Sequence, residues 1–255
     1  MNKKILFLII LFLPCASSCA PLKKNNKLNK PPVDHFVKVF KELEITRCLK
    51  KPKPKTKPCE TKTFFSTGSG LLITTPENNK VVLTAGHVCT SADELSEETA
   101  TYKLKWTETI SLLDRNKKFH DGHVILYSLN KKNSADLCSL YAPTLDYLKT
   151  KQKILISNKP PTIGEDVYYI GAPLGIHHPP TSLIIKGIFS GNIDKASALA
   201  SLGAAPGASG SVILSLDNKI YGVLFAVHNR FHIATIITTY EETKKFLHQT
   251  DKLLK

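Results

Sequence analysis

Pro206-Gly207-Ala208-Ser209-Gly210-Ser211-Val212-Ile213-Leu214 is the stretch from which the architecture is read most directly. Glycines on both sides of a serine let the backbone turn tightly and leave the hydroxyl uncovered. The apolar run that follows has strand character. Leu216-Asp217-Asn218-Lys219 then supplies a turn, 219–225 returns as a second strand, and 232–237 makes a third. Working back toward the N-terminus, short β-rich runs recur at 63–66, 69–74, 80–84, 102–106, 123–129, 136–141, 166–170 and 182–189. Many short strands at close spacing indicate an all-β sandwich or barrel architecture. One helix is expected at about 239–247. Phe36-Val37-Lys38-Val39-Phe40 matches both the helix and the strand period.

At 255 residues, 42% hydrophobic and 22% charged, the chain can bury a sizeable core, and its composition excludes global disorder. Residues 1–18 open with Lys3 and Lys4, continue through an apolar run from Ile5 to Leu13, and end in small residues, as an export signal does. Two cleavages fit. Ala16 and Ser18 suit an ordinary signal peptidase, while the same spot resembles a bacterial lipobox in which Cys19 becomes the lipidated, membrane-anchoring first residue. In that second reading Ala16 stands where Leu is usual. Residues 19–32, rich in Lys, Asn and Pro, read as a flexible basic tether.

The net charge of +14 is unevenly spread: residues 1–62 carry 15 Lys/Arg against 4 Asp/Glu, and residues 63–255 carry 20 against 17. The body is thus near neutral. The Lys50–Pro58 run contains no aromatic residue and reads as a solvated loop, so no nucleic-acid partner is expected.

Two further segments carry chemistry. Val81-Val82-Leu83-Thr84-Ala85-Gly86-His87-Val88-Cys89 delivers a histidine from an apolar strand through small residues. Ser134-Ala135-Asp136-Leu137-Cys138 places an aspartate at the head of another apolar strand, where a partly desolvated carboxylate needs a hydrogen-bond partner such as an imidazole N–H. Asp114 and Asp121 are rivals by position, but their Lys- and His-rich surroundings read as solvated. Asp136 would fix the tautomer of His87, His87 would take the proton of Ser209, and the turn Gly207, Ala208, Ser209 would hold the oxyanion, chiefly through the amides of Gly207 and Ser209. The chain order His, Asp, Ser is that of chymotrypsin-type enzymes.

Thr84-Ala85-Gly86-His87, Ala135-Asp136-Leu137 and Gly207-Ala208-Ser209-Gly210 resemble the three active-site blocks of trypsin-like peptidases. Ser69-Gly70-Leu71-Leu72-Ile73 is similar to the second-strand block of bacterial members. Gly164 to Gly175 resembles the strand opening the second barrel in the high-temperature-requirement branch. The resemblance implies two six-stranded antiparallel β-barrels with a C-terminal helix: a peptidase domain at 33–255, with barrels at 33–155 and 156–238 and the helix at 239–255. It makes the region of Phe36–Phe40 the first barrel strand. Three departures stand out. Ala208 replaces the Asp that serves zymogen activation in digestive enzymes, Ser211 replaces a Gly, and the branch's peptide-binding C-terminal domain has no counterpart before Lys255.

By the same resemblance Gly203 and Ala204 lie at the base of the specificity pocket, and Val223, Leu224 and Phe225 on its wall. An uncharged pocket of this kind favours a small or apolar side chain before the cut. The implied function is that of an exported serine endopeptidase acting on protein or peptide without metal or organic cofactor. A silent binding module on the same barrels and an acyl hydrolase acting on esters are the rival readings. Setting Cys15 and Cys19 aside, four thiols allow three pairings. Cys48 and Cys59 flank the Lys/Pro run, which a local disulfide would close. Cys89 and Cys138 each lie two residues beyond a proposed triad member and pair if His87 meets Asp136, the alternative being two buried thiols. The close pairs His120/His123, His177/His178 and His228/His232 lack a third ligand at metal spacing and read as surface or loop histidines.

Overall fold

Strand β1 (Phe36–Leu49) resolves the ambiguous segment as sheet. Its first residues are buried and its far half reaches out of the body, as does the first half of β2 (Cys59–Thr74). The computed structural model describes residues 28–50, 59–91, 102–129, 134–147, 152–228 and 230–255. The expected signal segment, Cys19, residues 20–27 and the run at 51–58 lie outside the described residues. β3 (Lys80–Thr84), β4 (Tyr102–Leu113), β5 (Phe119–Ser128) and β6 (Leu137–Tyr141) complete a closed antiparallel barrel in the order β1-β2-β3-β6-β5-β4. Period-two alternation sends Val37, Val39, Val82, Leu112 and Leu140 into its interior.

The second barrel uses β7 (Asp166–Gly171), β9 (Thr181–Asn192), β10 (Ser197–Ser201), β11 (Val212–Ser215), β12 (Ile220–His228) and β13 (Phe231–Thr238), with the short β8 (His177–His178) added beside β9. The order β9-β7-β11-β12-β13-β10 closes when β10 pairs back onto β9. Val167, Tyr169, Phe189, Ile213, Leu224 and Ile237 fill it. The all-β double barrel expected from the sequence is therefore the fold.

After β13 the chain enters helix α2 (Tyr240–Leu253), capped by Thr239, whose side chain accepts from the Glu242 N–H. Phe246 and Leu247 bury in a cluster that joins residues of both barrels. Asp251 is also buried. It accepts hydrogen bonds from Thr75 Oγ1 (2.5 Å), Glu77 N (3.1 Å) and Asn79 Nδ2 (2.8 Å) in the turn between β2 and β3. Thus α2 follows the second barrel in sequence and docks against β5 and β6 of the first as well as β12 of the second.

Some local expectations are corrected. Residues 28–32 are docked and not a free tether: Asn29 N–H donates to Leu216 O and Asn218 Nδ2 to Lys30 O, each at 3.0 Å. β10 is a strand that the sequence does not announce, because Ser-Ala-Leu-Ala-Ser has no β-branched or aromatic residue, and its pairing on both edges makes it one. Asp114 is buried and not solvated. Its Oδ1 accepts the N–H groups of Asn116 (2.8 Å) and Lys118 (2.9 Å), and its Oδ2 lies 3.2 Å from His120 Nε2. His120 and His177 are likewise interior, not surface, histidines. Burial, aided by the Lys38 charge, holds the His177 imidazole below its ordinary pKa.

Two disulfides join Cys48 to Cys59 and Cys89 to Cys138. The first links β1 to β2 beside their outer ends. The second ties β6 to the one-turn helix α1 (Gly86–Cys89). No helix among the described residues is long and apolar enough to cross a membrane.

Candidate active site

β3 leaves the barrel at Thr84, Ala85 is extended, and α1 begins, which lifts His87 to a side-chain exposure of 39%. Asp136, just before β6, is 6% exposed and grips this histidine twice. His87 Nδ1–H donates to Asp136 Oδ2 (2.8 Å), and the His87 backbone N–H donates to Oδ1 (2.9 Å). A carboxylate can only accept, so the ring proton resides on Nδ1 and Nε2 is left as a base.

The loop carrying Ser209 is fixed from three sides. Ser69 on β2 is fully buried. Its N–H donates to Ser209 O (2.8 Å), its Oγ donates to Gly207 O (2.8 Å) and accepts from Ala172 N (3.0 Å), and its carbonyl accepts from Thr84 Oγ1 (2.7 Å). Beyond β7, Leu174 N–H donates to Pro206 O (2.6 Å), and from β12 Leu224 O accepts the Gly210 N–H (2.7 Å). Gly207 (φ 94°) and Gly210 (φ 88°) both take left-handed backbone. A Cβ on Gly210 would stand 2.0 Å from Thr84 Oγ1 and 3.1 Å from Ala85 N, so the Ser209 loop lies directly against the strand end that delivers His87. Sequence reasoning missed Ser69 as a site residue. Its one signal is a small polar residue held between Gly68 and Gly70, just ahead of the apolar run Leu71-Leu72-Ile73.

Within this loop Ala208 N–H is donated to Ala205 O (2.9 Å) and Ser211 N–H to Ala208 O (3.0 Å). The amides of Gly207 and Ser209 have no acceptor among the described residues. Two unused donors flanking a serine can hold a developing oxyanion, while the committed amide of Ala208 cannot. The Ser209 hydroxyl is partly exposed and makes no hydrogen bond to His87 here. Such a bond commonly tightens only around substrate. The Ser211 hydroxyl, at the position of the departed Gly, is buried with no partner among the described residues.

The expected pocket residues divide. Gly203 is partly exposed, a Cβ there would meet nothing within 4 Å, and its carbonyl accepts from Tyr169 OH (2.6 Å). Ala204 is mostly buried and donates its N–H to His232 O (2.9 Å). Val223, Leu224 and Phe225 belong to the hydrophobic clusters, with Leu224 holding the Ser209 loop through its carbonyl.

Among solved structures the chain resembles the active form of the Rv3671c protease of M. tuberculosis, with 18% identity over 86% of this chain and 84% of that one and a TM-score of 0.55. It also resembles the serine endoprotease of Yersinia pestis, with 16% identity over 82% of this chain and 62% of that one and a TM-score of 0.54. No curated protein matches the sequence. The family model of the trypsin-like peptidase domain matches residues 68–223, a span that contains His87, Asp136 and Ser209. The chain belongs to the trypsin-like peptidase family and is a serine endopeptidase.

Proposed function

We propose that His87, Asp136 and Ser209 form the catalytic triad of an exported endopeptidase, with Ser209 as nucleophile, His87 as general base and Asp136 as its orienter. The observation that carries this reading is the double grip of Asp136 on His87, at 2.8 and 2.9 Å, beside a serine flanked by two uncommitted amides. Ser209 Oγ attacks the scissile carbonyl as His87 Nε2 takes its proton. The amides of Gly207 and Ser209 hold the oxyanion, and His87 returns the proton to the leaving amine. Water then repeats the sequence on the acyl-enzyme.

Reaction with a fluorophosphonate tests this assignment. Wild-type protein is expected to label stoichiometrically at Ser209, and folded Ser209→Ala protein not at all. Labelling that persists in the alanine variant, or is missing from the wild type, defeats it.

Side chains at the pocket base are small and uncharged at Gly203, Ala204 and Ala205. Cleavage of a peptide library is therefore expected to follow small or apolar residues. Clustering of cuts after Lys or Arg would overturn this preference. Export is supported by the apolar, Lys-headed segment 1–18 and by the two disulfides, which persist in oxidising compartments. In the lipidated variant of this reading the mature chain starts at Cys19.

A further inference from the structure

The His87 carbonyl is held by a buried cation. Lys41 lies on β1, opposite Ser66 of β2 and Ile110 of β4, and is only 7% exposed. Its Nζ donates to His87 O (2.9 Å) and to Ser91 Oγ (2.7 Å). Glu108 on β4 completes the arrangement: Oε1 accepts the Ser91 N–H (2.5 Å) and Oε2 accepts from Thr90 Oγ1 (2.9 Å).

The arrangement replaces a helical bond. In a continuing α-helix His87 O would accept the N–H four residues on, which is that of Ser91. α1 stops at Cys89, Glu108 takes the Ser91 N–H, and the orphaned carbonyl of His87 is taken by Lys41. A helix of one turn has almost no stability of its own, so its geometry is set by what grips it. Both backbone polar groups of His87 are gripped by charged side chains. Asp136 takes its N–H from the β6 side and Lys41 its carbonyl from the β1 side. Burying an ammonium is costly, and one lysine supplying donors to both His87 and Ser91 fixes the turn at its far end.

We infer that Lys41 is a positioning residue for the catalytic base: together with Glu108 it sets where the His87 ring stands relative to Ser209. This inference rests on the triad assignment above. Misplacing a catalytic group by about 1 Å costs on the order of 100-fold in rate. Lys41→Met keeps the stem and removes the donors. Its kcat per titratable site on a peptide p-nitroanilide ending in Ala is expected to fall by about 10- to 100-fold with KM within about twofold. Lys41→Arg, which restores charged donors, is expected to recover most of that loss.

The experiment is active-site titration with a fluorophosphonate followed by steady-state kinetics on wild type, Lys41→Met, Lys41→Arg and Glu108→Ala. A purely structural role for Lys41 would lower the number of titratable sites and leave the turnover of each unchanged, and that result overturns the inference. A Lys41→Arg variant as impaired per site as Lys41→Met overturns it as well. Should Lys41→Met not fold, Glu108→Ala decides. It frees the Ser91 N–H and is expected to lower kcat per site with KM unchanged, and wild-type turnover would count against the clamp. Failure of the wild type itself to titrate at Ser209 would instead overturn the triad assignment, so the two outcomes are distinguishable.

Discussion

Asp136→Asn is expected to lower kcat by about 10,000-fold with little change in KM, a loss of about 5.5 kcal/mol in transition-state stabilisation. The double grip dictates how. The introduced carboxamide would keep its oxygen toward the His87 backbone N–H, which needs an acceptor at the position now held by Oδ1. Its NH2 would then face the ring nitrogen that Oδ2 faces now. An NH2 donates, so Nδ1 would have to accept and the ring proton would move to Nε2. The base would be blocked by its own hydrogen while the fold stayed intact. Steady-state kinetics and a thermal melt on the same preparation check this. A loss smaller than about tenfold in a variant that melts like wild type would remove Asp136 from the orienting role.

Asp251→Ala is expected to destabilise the protein by about 3 kcal/mol, because it strips a charged acceptor from three donors in one step. Thr75 Oγ1, the Glu77 N–H and Asn79 Nδ2 all donate to this carboxylate, and Thr75 and Asp251 are buried. For a chain of this size the melting temperature should fall by about 6–12 °C. Differential scanning calorimetry of the two proteins measures it. A shift under about 2 °C would mean that the turn finds other acceptors and that the remaining contacts of α2, Phe246, Leu247 and Thr250 among them, suffice to hold it.

The fold was largely legible because strand runs and turn residues are local signals. β3 and β7 fall within a residue of where their apolar runs place them, and the chain at Thr67-Gly68 merely joins two expected runs into β2. The meeting of His87 and Asp136 was legible for a similar reason. Each sits where an apolar strand of one barrel begins or ends, and the Cys89–Cys138 bond beside them was foreshadowed by equal offsets. Contacts between distant strands were not legible. Lys41 reads as one more cation in a basic region, and nothing near it names the His87 carbonyl 46 positions on. Ser69 reads as a small strand residue, although it bonds Gly207 across 138 positions. Asp114 misled in the opposite way. Its charged neighbours Arg115, Lys117 and Lys118 point to solvent, but its carboxylate turns inward to serve the backbone of its own turn and His120. Side-chain direction at a turn is decided by which amides need acceptors, and local polarity does not report that.

The way α2 docks beside the first barrel has a consequence for the order in which the chain is completed. During synthesis residues 28–238 emerge before the helix does. Until then the cluster that Phe246 and Leu247 fill stands open, and the β2–β3 turn lacks the carboxylate that gathers its donors. β3 is the strand that presents His87, so a half-made chain holds this histidine beside an unfinished wall. A chain cut short before Tyr240 would therefore lack both the apolar cover and the carboxylate that hold the wall beside β3 in place.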